Sequence, residues 1–292
     1  MRIPSMPAVV VGAISFLATL SAARAESLLP LQTETAAALP HGHAEASLGI
    51  EYYRNRRFPE FTPADSIDSQ DLFSLPGVDL NLGLGNWVEL QASFEMLYLD
   101  EDLAGSDSDS AYGAGDARLF TKLYLLEDRE MWPAAGLRFG TKLPNASVDD
   151  RLGTDETDFL IAVLASKDFG IASAHVNLGL AILGNPGPTA PTAKPFDSDG
   201  QDDLFTWNIA GASGSIKLSE TTSIRLLAGF AGQEGSRFGN DRAAFRGGAQ
   251  VGWGSWTLYA GMSAGLVTAS EDVGAFGGAI YSFEPGAWFA RN

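Results

Sequence analysis

A strict alternation of apolar and polar residues runs through positions 88–97, V-E-L-Q-A-S-F-E-M-L. The apolar members are Val88, Leu90, Ala92, Phe94 and Met96. A period of two predicts a β-strand with one apolar face and one polar face. In a soluble sheet the apolar face would pack on a core. In a transmembrane barrel it faces lipid, and the polar face lines a wet interior.

Eleven further stretches alternate in the same way between turn residues, although the eighth and twelfth strands do so least regularly. The twelve predicted strands span residues 44–53, 78–84, 88–97, 116–125, 134–143, 157–166, 171–183, 204–217, 221–232, 243–253, 256–267 and 272–283. An even number of strands is typical of bacterial outer-membrane barrels.

The connections between these strands alternate between long and short. The long ones are residues 55–74, 99–114, 144–156, 184–203 and 233–242, and the alternation weakens at 268–271. Outer-membrane barrels have short periplasmic turns and longer extracellular loops, whereas a β-sandwich has no reason to keep such an order. We therefore predict an all-β, transmembrane antiparallel up-and-down β-barrel of about 12 strands with both termini periplasmic. The apolar face of strand 88–97 would then contact lipid.

Aromatic residues agree with this prediction. Trp87, Trp132, Trp253 and Trp256 fall at predicted short turns and Trp207 falls near the opposite end, as expected for two aromatic girdles. The stretch G-G-A-I-Y-S-F, residues 277–283, resembles the closing-strand signal of outer-membrane proteins, although nine residues follow it.

Residues 1–25 are predicted to be a signal peptide. Arg2 precedes an apolar run at 9–20 that is too short to span a membrane, and A-R-A at 23–25 is a cleavage motif. The mature chain, 26–292, is predicted to be one barrel domain with a lead-in at 26–43 and a short tail at 284–292. The absence of Cys excludes a lipid-anchored lipoprotein, a disulfide framework and a thiolate metal site.

Charge restricts the possible partners. The full chain has 36 acidic and 19 basic residues, and removing the signal peptide removes only Arg2 and Arg24 from the basic set. This excess of acid argues against nucleic-acid binding, which needs a basic face. The expected partners are outer-membrane lipid and lipopolysaccharide, together with a small-molecule solute. The oligomeric state cannot be derived from these patterns.

Five stretches carry a resemblance to a known family. They are residues 35–52 (T-A-A-A-L-P-H-G-H-A-E-A-S-L-G-I-E-Y), 115–123 (G-D-A-R-L-F-T-K-L), 136–144 (G-L-R-F-G-T-K-L-P), 152–159 (L-G-T-D-E-T-D-F) and 164–170 (L-A-S-K-D-F-G). The chain resembles, from Leu39 to Phe283, a family of outer-membrane transporters labelled as the MetA pathway of phenol degradation. The resemblance implies a porin-like barrel in a Gram-negative outer membrane that takes up aromatic or other hydrophobic compounds.

Continuing the alternation into neighbouring strands gives a set of lumenal, constriction-forming candidates. They are Glu89, Glu95, Arg118, Lys122, Arg138, Lys142, His175, Arg225 and Arg246. Opposite charges on facing walls would select solutes by charge, or they would pair across strands and stiffen the barrel. Under the first reading Arg138→Glu changes ion selectivity. His175 is more often a hydrogen-bonded wall residue than a base.

Three aromatic residues, Tyr53, Phe120 and Tyr124, share the lumenal phase. They would form a slide for an aromatic solute or fill space in a narrow barrel. A loop folded into the lumen would also block it, and the Pro- and Gly-containing loop 184–203 is the first candidate for such a plug.

The loops offer no convincing metal or cofactor site, and none is expected. Asp197, Asp199, Asp202 and Asp203 are weak candidates for Ca²⁺, because Gly200 comes too early for an EF-hand loop. Weak divalent bridging to lipopolysaccharide is an intermediate possibility. His41 and His43 lack an obvious third ligand.

Passive transport of small solutes is the leading function. One alternative is a lipid-acting outer-membrane enzyme, which would have to use His175. The G-x-S-x-G motif is absent, since G-A-S-G-S at 211–215 lacks the final Gly, so we expect that the protein is not an enzyme. The other alternative is a structural or adhesive barrel whose acidic loops bind an outside partner.

Overall fold

The computed structural model describes residues 27–56, 67–103, 108–184, 203–235 and 241–286. The predicted signal peptide, most of loop 184–203 and the last six residues of the tail lie outside the described residues. No helix in the described ranges is long and apolar enough to cross a membrane.

The described chain forms a closed antiparallel barrel of twelve strands, with two short additional strands. The strands are β1 (Ala44–Arg54), β2 (Ile67–Gly85), β3 (Val88–Leu103), β4 (Asp109–Ala114), β5 (Ala117–Leu126), β6 (Ala134–Leu143), β7 (Asp158–Asp168), β8 (Ala172–Ile182), β9 (Leu204–Ser213), β10 (Ile216–Lys217), β11 (Thr222–Glu234), β12 (Arg242–Trp253), β13 (Trp256–Gly265) and β14 (Val273–Phe283).

Strand pairing follows chain order and closes on itself. The first strand, β1, pairs with the last, β14, and β9 pairs with β11. The two extra strands lie beside this circuit, because β4 pairs only with the outer part of β3 and β10 only with the start of β11. Closure leaves the circuit of twelve strands without a free edge, so its backbone groups are paired within the barrel.

The predicted fold class is confirmed, but two strands are longer than predicted. The β2–β3 pairing continues through Asp71–Asp100 to Ile67–Leu103, within segments that the sequence assigned to loops. The alternation stops here because apolar residues occupy both faces: Leu72 and Leu99 are buried on the inside, whereas Phe73 and Tyr98 are exposed on the outside. Predicted strand 204–217 is interrupted after Ser213, and only residues 216–217 pair again.

The outer surface of the barrel is apolar. Leu90 and Phe94 are each 40% exposed on the outside of β3, whereas Glu89, on the opposite face of the same strand, is 1% exposed. The same outward phase holds large exposed residues on other strands, among them Leu48, Leu80, Val163, Leu180, Leu226 and Leu258. An exterior of this kind is stable only when apolar surroundings cover it, and the polar rows of the strands face inward.

Aromatic side chains mark both ends of this apolar surface. We call the end that carries turn 86–87 the short-turn end and the opposite end the long-loop end. Trp87, Trp132, Trp253 and Trp256 are exposed at the short-turn end. At the long-loop end Tyr52, Phe73 and Tyr98 form a ladder across three strands, with ring centroids 4.5 and 5.9 Å apart. The separation of these two aromatic belts fits the girdles of a membrane barrel.

Candidate functional site: a lumen filled by the N-terminal segment

The lumen holds residues 27–43, here called the re-entrant segment. It precedes β1 at the short-turn end, where the Gly42 N–H donates to the carbonyl of Gly83 (2.9 Å). Its middle, at Gln32, lines the cavity at the long-loop end. Its beginning, at Ser27, contacts Gln250 and lines the cavity at the short-turn end. The segment therefore enters the barrel, turns, and runs back.

One limb of the segment, residues 34–39, is bound to the wall through its backbone. The Leu39 N–H donates to Glu89 Oε2 (2.7 Å) and the Ala36 N–H donates to Ser166 Oγ (2.9 Å). Glu34 exchanges two bonds with Asn177, its N–H donating to Oδ1 (2.7 Å) and its carbonyl accepting from Nδ2 (2.9 Å). These wall side chains satisfy buried peptide groups that have no strand partner.

The other limb, residues 27–31, combines polar and apolar contacts. Gln250 Nε2 donates to the carbonyls of Ser27 (2.9 Å) and Leu29 (2.6 Å). Leu28 and Leu31 are buried in a cluster with small and apolar wall residues, namely Ala210, Ala212 and Leu227. Burial of two Leu side chains contributes on the order of 3–6 kcal/mol, so this limb is held by apolar packing as well as by hydrogen bonds.

A buried charge cluster joins the segment to β3, β5 and β6. Lys122 Nζ lies 3.0 Å from Glu89 Oε1 and 3.4 Å from Glu34 Oε2. Arg138 Nη2 lies 3.9 Å from Glu34 Oε1, and Arg138 Nε donates to Gln91 Oε1 (2.7 Å). Lys122 is only 3% exposed. A buried ion needs an oppositely charged partner, because removing that partner leaves an uncompensated charge. Of the two carboxylates that pair with Lys122, Glu34 belongs to the re-entrant segment and Glu89 belongs to the wall.

Two wall glycines leave room for the segment. A Cβ at Gly83 would lie 2.2 Å from the carbonyl oxygen of Pro40 and 2.5 Å from that of Leu39. A Cβ at Gly136 would lie 2.8 Å from the carbonyl oxygen of Ala36. Any larger residue at these positions meets the backbone of the segment and forces it to move.

This contact gives a testable prediction. Gly83→Ala should loosen the re-entrant segment and raise channel conductance, because the added methyl group cannot coexist with the Leu39–Pro40 backbone. The matched control is Gly85→Ala on the same strand, where a Cβ meets nothing within 4 Å. The measurement is single-channel conductance of both refolded variants. Equal conductances for the two variants would contradict the placement of the segment.

The other predicted lumenal charges form pairs nearer the long-loop end. Arg118 Nη1 lies 3.1 Å from Glu95 Oε1. Lys142 Nζ lies 3.2 Å from Asp116 Oδ2 and 2.8 Å from Asp158 Oδ2. The structure thus brings acidic and basic residues of neighbouring strands together. Selection of solutes by these charges and stiffening of the wall by their pairing stay alternative predictions.

Loop 144–157, between β6 and β7, bends into the long-loop end of the lumen. Asp116 Oδ1 accepts the N–H groups of Asn145 (3.0 Å) and Ala146 (2.9 Å). Ala146 and Leu152 are buried in one cluster with apolar wall residues, which are Tyr53, Leu72, Leu97 and Leu99. This loop therefore narrows the lumen, although its sequence reads as a polar surface loop.

His175 is a buried wall residue. Its Nδ1 lies 2.9 Å from Ser166 Oγ and its Nε2 lies 2.9 Å from Ser173 Oγ. Both ring nitrogens are thus engaged by hydroxyl groups, and Ser166 also accepts the Ala36 N–H. The arrangement ties His175 indirectly to the re-entrant segment.

Two further predicted arginines lie on the opposite wall. Arg246 is 3% exposed, donates to Tyr53 Oη (3.0 Å) and lies 3.5 Å from Glu51. Arg225 Nη1 donates to Gln250 Oε1 (3.4 Å). Arg225 therefore contacts the side chain that holds the start of the re-entrant segment.

The three lumenal aromatic residues do not form one continuous surface. Tyr53 packs in the long-loop-end cluster, and Tyr124 packs beside Ala36. Phe120 lies under the Arg138 guanidinium, whose Cζ is 3.5 Å from the centroid of the Phe120 ring. Separate packing sites favour space filling over a slide for aromatic solutes.

The re-entrant segment divides the lumen into cavities. One of about 480 Å³ opens beside Ser27, His43 and Arg225 at the short-turn end. Another of about 440 Å³ lies beyond Gln32 at the long-loop end, and a space of about 230 Å³ adjoins it. A pocket of only about 120 Å³ lies between the segment and the wall. The small pocket shares lining residues with the short-turn chamber, and the segment separates that chamber from the one at the long-loop end.

The weak metal candidates gain no support. Asp197, Asp199 and Asp202 lie outside the described residues, and Asp203 Oδ1 accepts the Leu183 N–H (3.1 Å). His41 Nδ1 lies 2.7 Å from the carbonyl oxygen of Leu84. In the ranges that the structure describes, no three His, Asp or Glu side chains are grouped to hold a metal ion.

Sequence reasoning missed the segment itself. Glu34 lies in a stretch with no period of two, and its partners are 57 to 143 residues away in the chain. The predicted plug, loop 184–203, lies mostly outside the described residues. The available signal was the small and apolar stretch T-A-A-A-L-P after Glu34, which packs closely without forming a strand.

Comparison with solved structures places this barrel among known folds. The COG4313 outer membrane channel from Pseudomonas putida F1 is 16% identical, with a TM-score of 0.60 over 85% of this chain and 97% of that chain. The translocator domain of autotransporter NalP from Neisseria meningitidis is 14% identical, with a TM-score of 0.52 over 83% and 88%. No family model and no curated protein matches the sequence. The family resemblance is therefore not confirmed, whereas the outer-membrane barrel fold is.

The prediction that the protein is not an enzyme is wrong as an exclusion. Enzymes occur among outer-membrane proteins with similar barrels. A barrel fold alone does not decide whether a protein is an enzyme.

Proposed function

We propose that the protein is a porin-like outer-membrane channel for small solutes, narrowed by its own N-terminal segment. The observation that carries the proposal is a closed barrel with an apolar exterior and a charged lumen. Chambers of about 480 and 440 Å³ lie on either side of the re-entrant segment. Solutes would move by passive diffusion, and the polar and charged side chains that line both chambers support this proposal.

The proposed orientation places the short-turn end in the periplasm, in line with other bacterial barrels. The chain would arrive through a cleaved signal peptide and then close its lumen with residues 27–43. The longer, acidic connections would face lipopolysaccharide, where weak divalent bridging stays part of the proposal. The oligomeric state does not enter the argument.

Aromatic or other hydrophobic compounds are the proposed solutes. Leu97, Leu99, Leu152 and Leu160 line the chamber at the long-loop end together with charged side chains. A chamber with one apolar wall favours small molecules that carry both an apolar body and a polar group. The apolar wall of this chamber supports the proposal of aromatic or other hydrophobic solutes.

The test is single-channel conductance of the refolded mature protein in a planar bilayer, with liposome swelling in parallel. We expect small, steady current steps, together with faster swelling in a phenolic solute than in a sugar. Refolded protein that neither conducts nor permits swelling, even without its re-entrant segment, would refute the proposed function.

A further inference from the structure

A small pocket lies between the re-entrant segment and the wall of β1–β6, and six charged side chains line it. Its volume is about 120 Å³, and it shares Ser27, Leu39 and Glu45 with the larger short-turn chamber. A solute passing here is close to every group in the lining. The charges of this pocket therefore act at short range, where they are least screened.

Acidic groups outnumber basic groups in this lining. Four carboxylates line the pocket against two cations, the acids being Glu34, Glu45, Asp79 and Glu89 and the bases being Lys122 and Arg138. Glu45 and Asp79 were not among the residues that the sequence pattern singled out. The lining of this small pocket thus holds two more carboxyl groups than basic groups.

Both basic residues of the pocket pair with two of its four acids, Glu34 and Glu89. Lys122 pairs with Glu34 and Glu89, and Arg138 lies beside Glu34. Asp79, in contrast, accepts a hydrogen bond from Ser47 Oγ (2.6 Å), and Glu45 accepts one from Ser282 Oγ (3.2 Å). Within the described part of the chain, no Lys or Arg forms an ion pair with either residue. The two uncompensated carboxylates are thus Glu45 and Asp79.

The segment makes no hydrogen bond to the strand that carries Glu45. Its described hydrogen bonds reach wall residues on β2, β3, β5, β7, β8 and β12. On the described chain, none reaches β13, β14 or β1. Glu45 on β1 and Asp79 on the neighbouring β2 line the small pocket together.

We propose that Glu45 and Asp79 set the charge preference of the channel, favouring small cations and neutral solutes over anions. This inference rests on the proposed channel function and deepens it by naming the solute charge. Fixed carboxylates at a restricted point attract cations and repel anions without binding either tightly.

The first test is the reversal potential in a KCl gradient near physiological ionic strength. The wild-type channel should prefer K⁺ over Cl⁻. The double variant Glu45→Gln/Asp79→Asn should lose most of that preference, because its pocket would hold two acids against two bases. The matched control is Glu220→Gln, which removes one acid from an exposed turn at the short-turn end and should leave the preference unchanged.

The second test uses a chain that lacks residues 27–39, in which Glu34 is absent. Glu45, Asp79 and Glu89 then face Lys122 and Arg138, and the preference for K⁺ should persist at a lower level. Adding Glu45→Gln/Asp79→Asn leaves one carboxylate against two cations. The expected result is a reversal, with Cl⁻ preferred.

The two proposals fail in different ways. Unchanged selectivity in the double variant, or preference for Cl⁻ in the wild-type channel, would overturn this inference while the channel itself stood. Absence of current from both the full and the shortened chain would overturn the proposed function and the inference together. Folding of each variant is checked by heat-dependent electrophoretic mobility.

A thiol variant covers the case in which the double variant does not fold. Because the chain has no Cys, Asp79→Cys carries a unique thiol. An anionic thiol reagent should preserve K⁺ preference and a cationic reagent should lower it. The same selectivity after both reagents would overturn the role of Asp79.

Discussion

Deletion of residues 27–39 is expected to raise single-channel conductance several-fold. The deleted residues fill the lumen between the two large chambers, and their removal leaves a continuous polar interior. The wall strands should persist, because their pairing from β1 to β14 does not use this segment. Conductance in a planar bilayer is the measurement, with heat-dependent mobility showing that the barrel has folded.

The control for this deletion is removal of residues 284–292, the tail that follows β14. That deletion removes nine residues and one exposed ion pair, Glu284 with His43 (3.5 Å), but none of the described contacts between residues 27–39 and the wall. It should leave conductance unchanged. A folded barrel that conducts no better without residues 27–39 would contradict the claim that the segment restricts the lumen.

Lys122→Met is expected to destabilise the folded protein with its segment in place by about 3–5 kcal/mol, because it leaves the buried carboxylate of Glu89 and the partly exposed one of Glu34 without their shared cation. Glu34 and Glu89 would then repel each other, and the outcome of lowest energy is release of the segment. Higher conductance and a lower midpoint of thermal unfolding are the expected readouts. Adding Glu34→Gln and Glu89→Gln should recover much of the stability by removing the unpaired charges.

Arg118→Met is the matched control for the Lys122 variant. Arg118 pairs with one lumenal carboxylate, Glu95, and its side chain is 41% exposed. A pair in contact with water contributes about 0–1 kcal/mol, so this variant should change stability little. Equal losses in the Lys122 and Arg118 variants would show that the buried cluster does not hold the segment.

The barrel was predictable because each membrane-facing strand separates two environments. Residues such as Leu90 and Glu89 must alternate when one face is apolar and the other wet. The alternation of apolar and polar residues ends where the two faces of a strand no longer lie in an apolar and a wet environment. The stretches 67–77 and 98–103 pair as strands whose inward face also carries apolar residues, since Leu72 and Leu99 are buried against loop 144–157, so their sequence has no period of two.

The site was predictable only in part. Glu89 and Lys122 were placed inside the barrel by their phase in the strands, and the structure puts them 3.0 Å apart. Glu34 could not be placed, because its segment has no period and binds through backbone N–H groups to distant wall side chains. Such contacts depend on closure of the barrel, with partners as far as 143 residues along the chain.

The most direct measurement is a recording from one channel while its N-terminal segment is cut. A specific protease site inserted at Gly42, in the turn before β1, would allow cleavage from one side of the bilayer. We expect a stepwise rise of current in the same channel when protease is added on the short-turn side, followed by a stable higher conductance. Current that stays unchanged after cleavage and release of residues 27–41 are both verified would contradict the account.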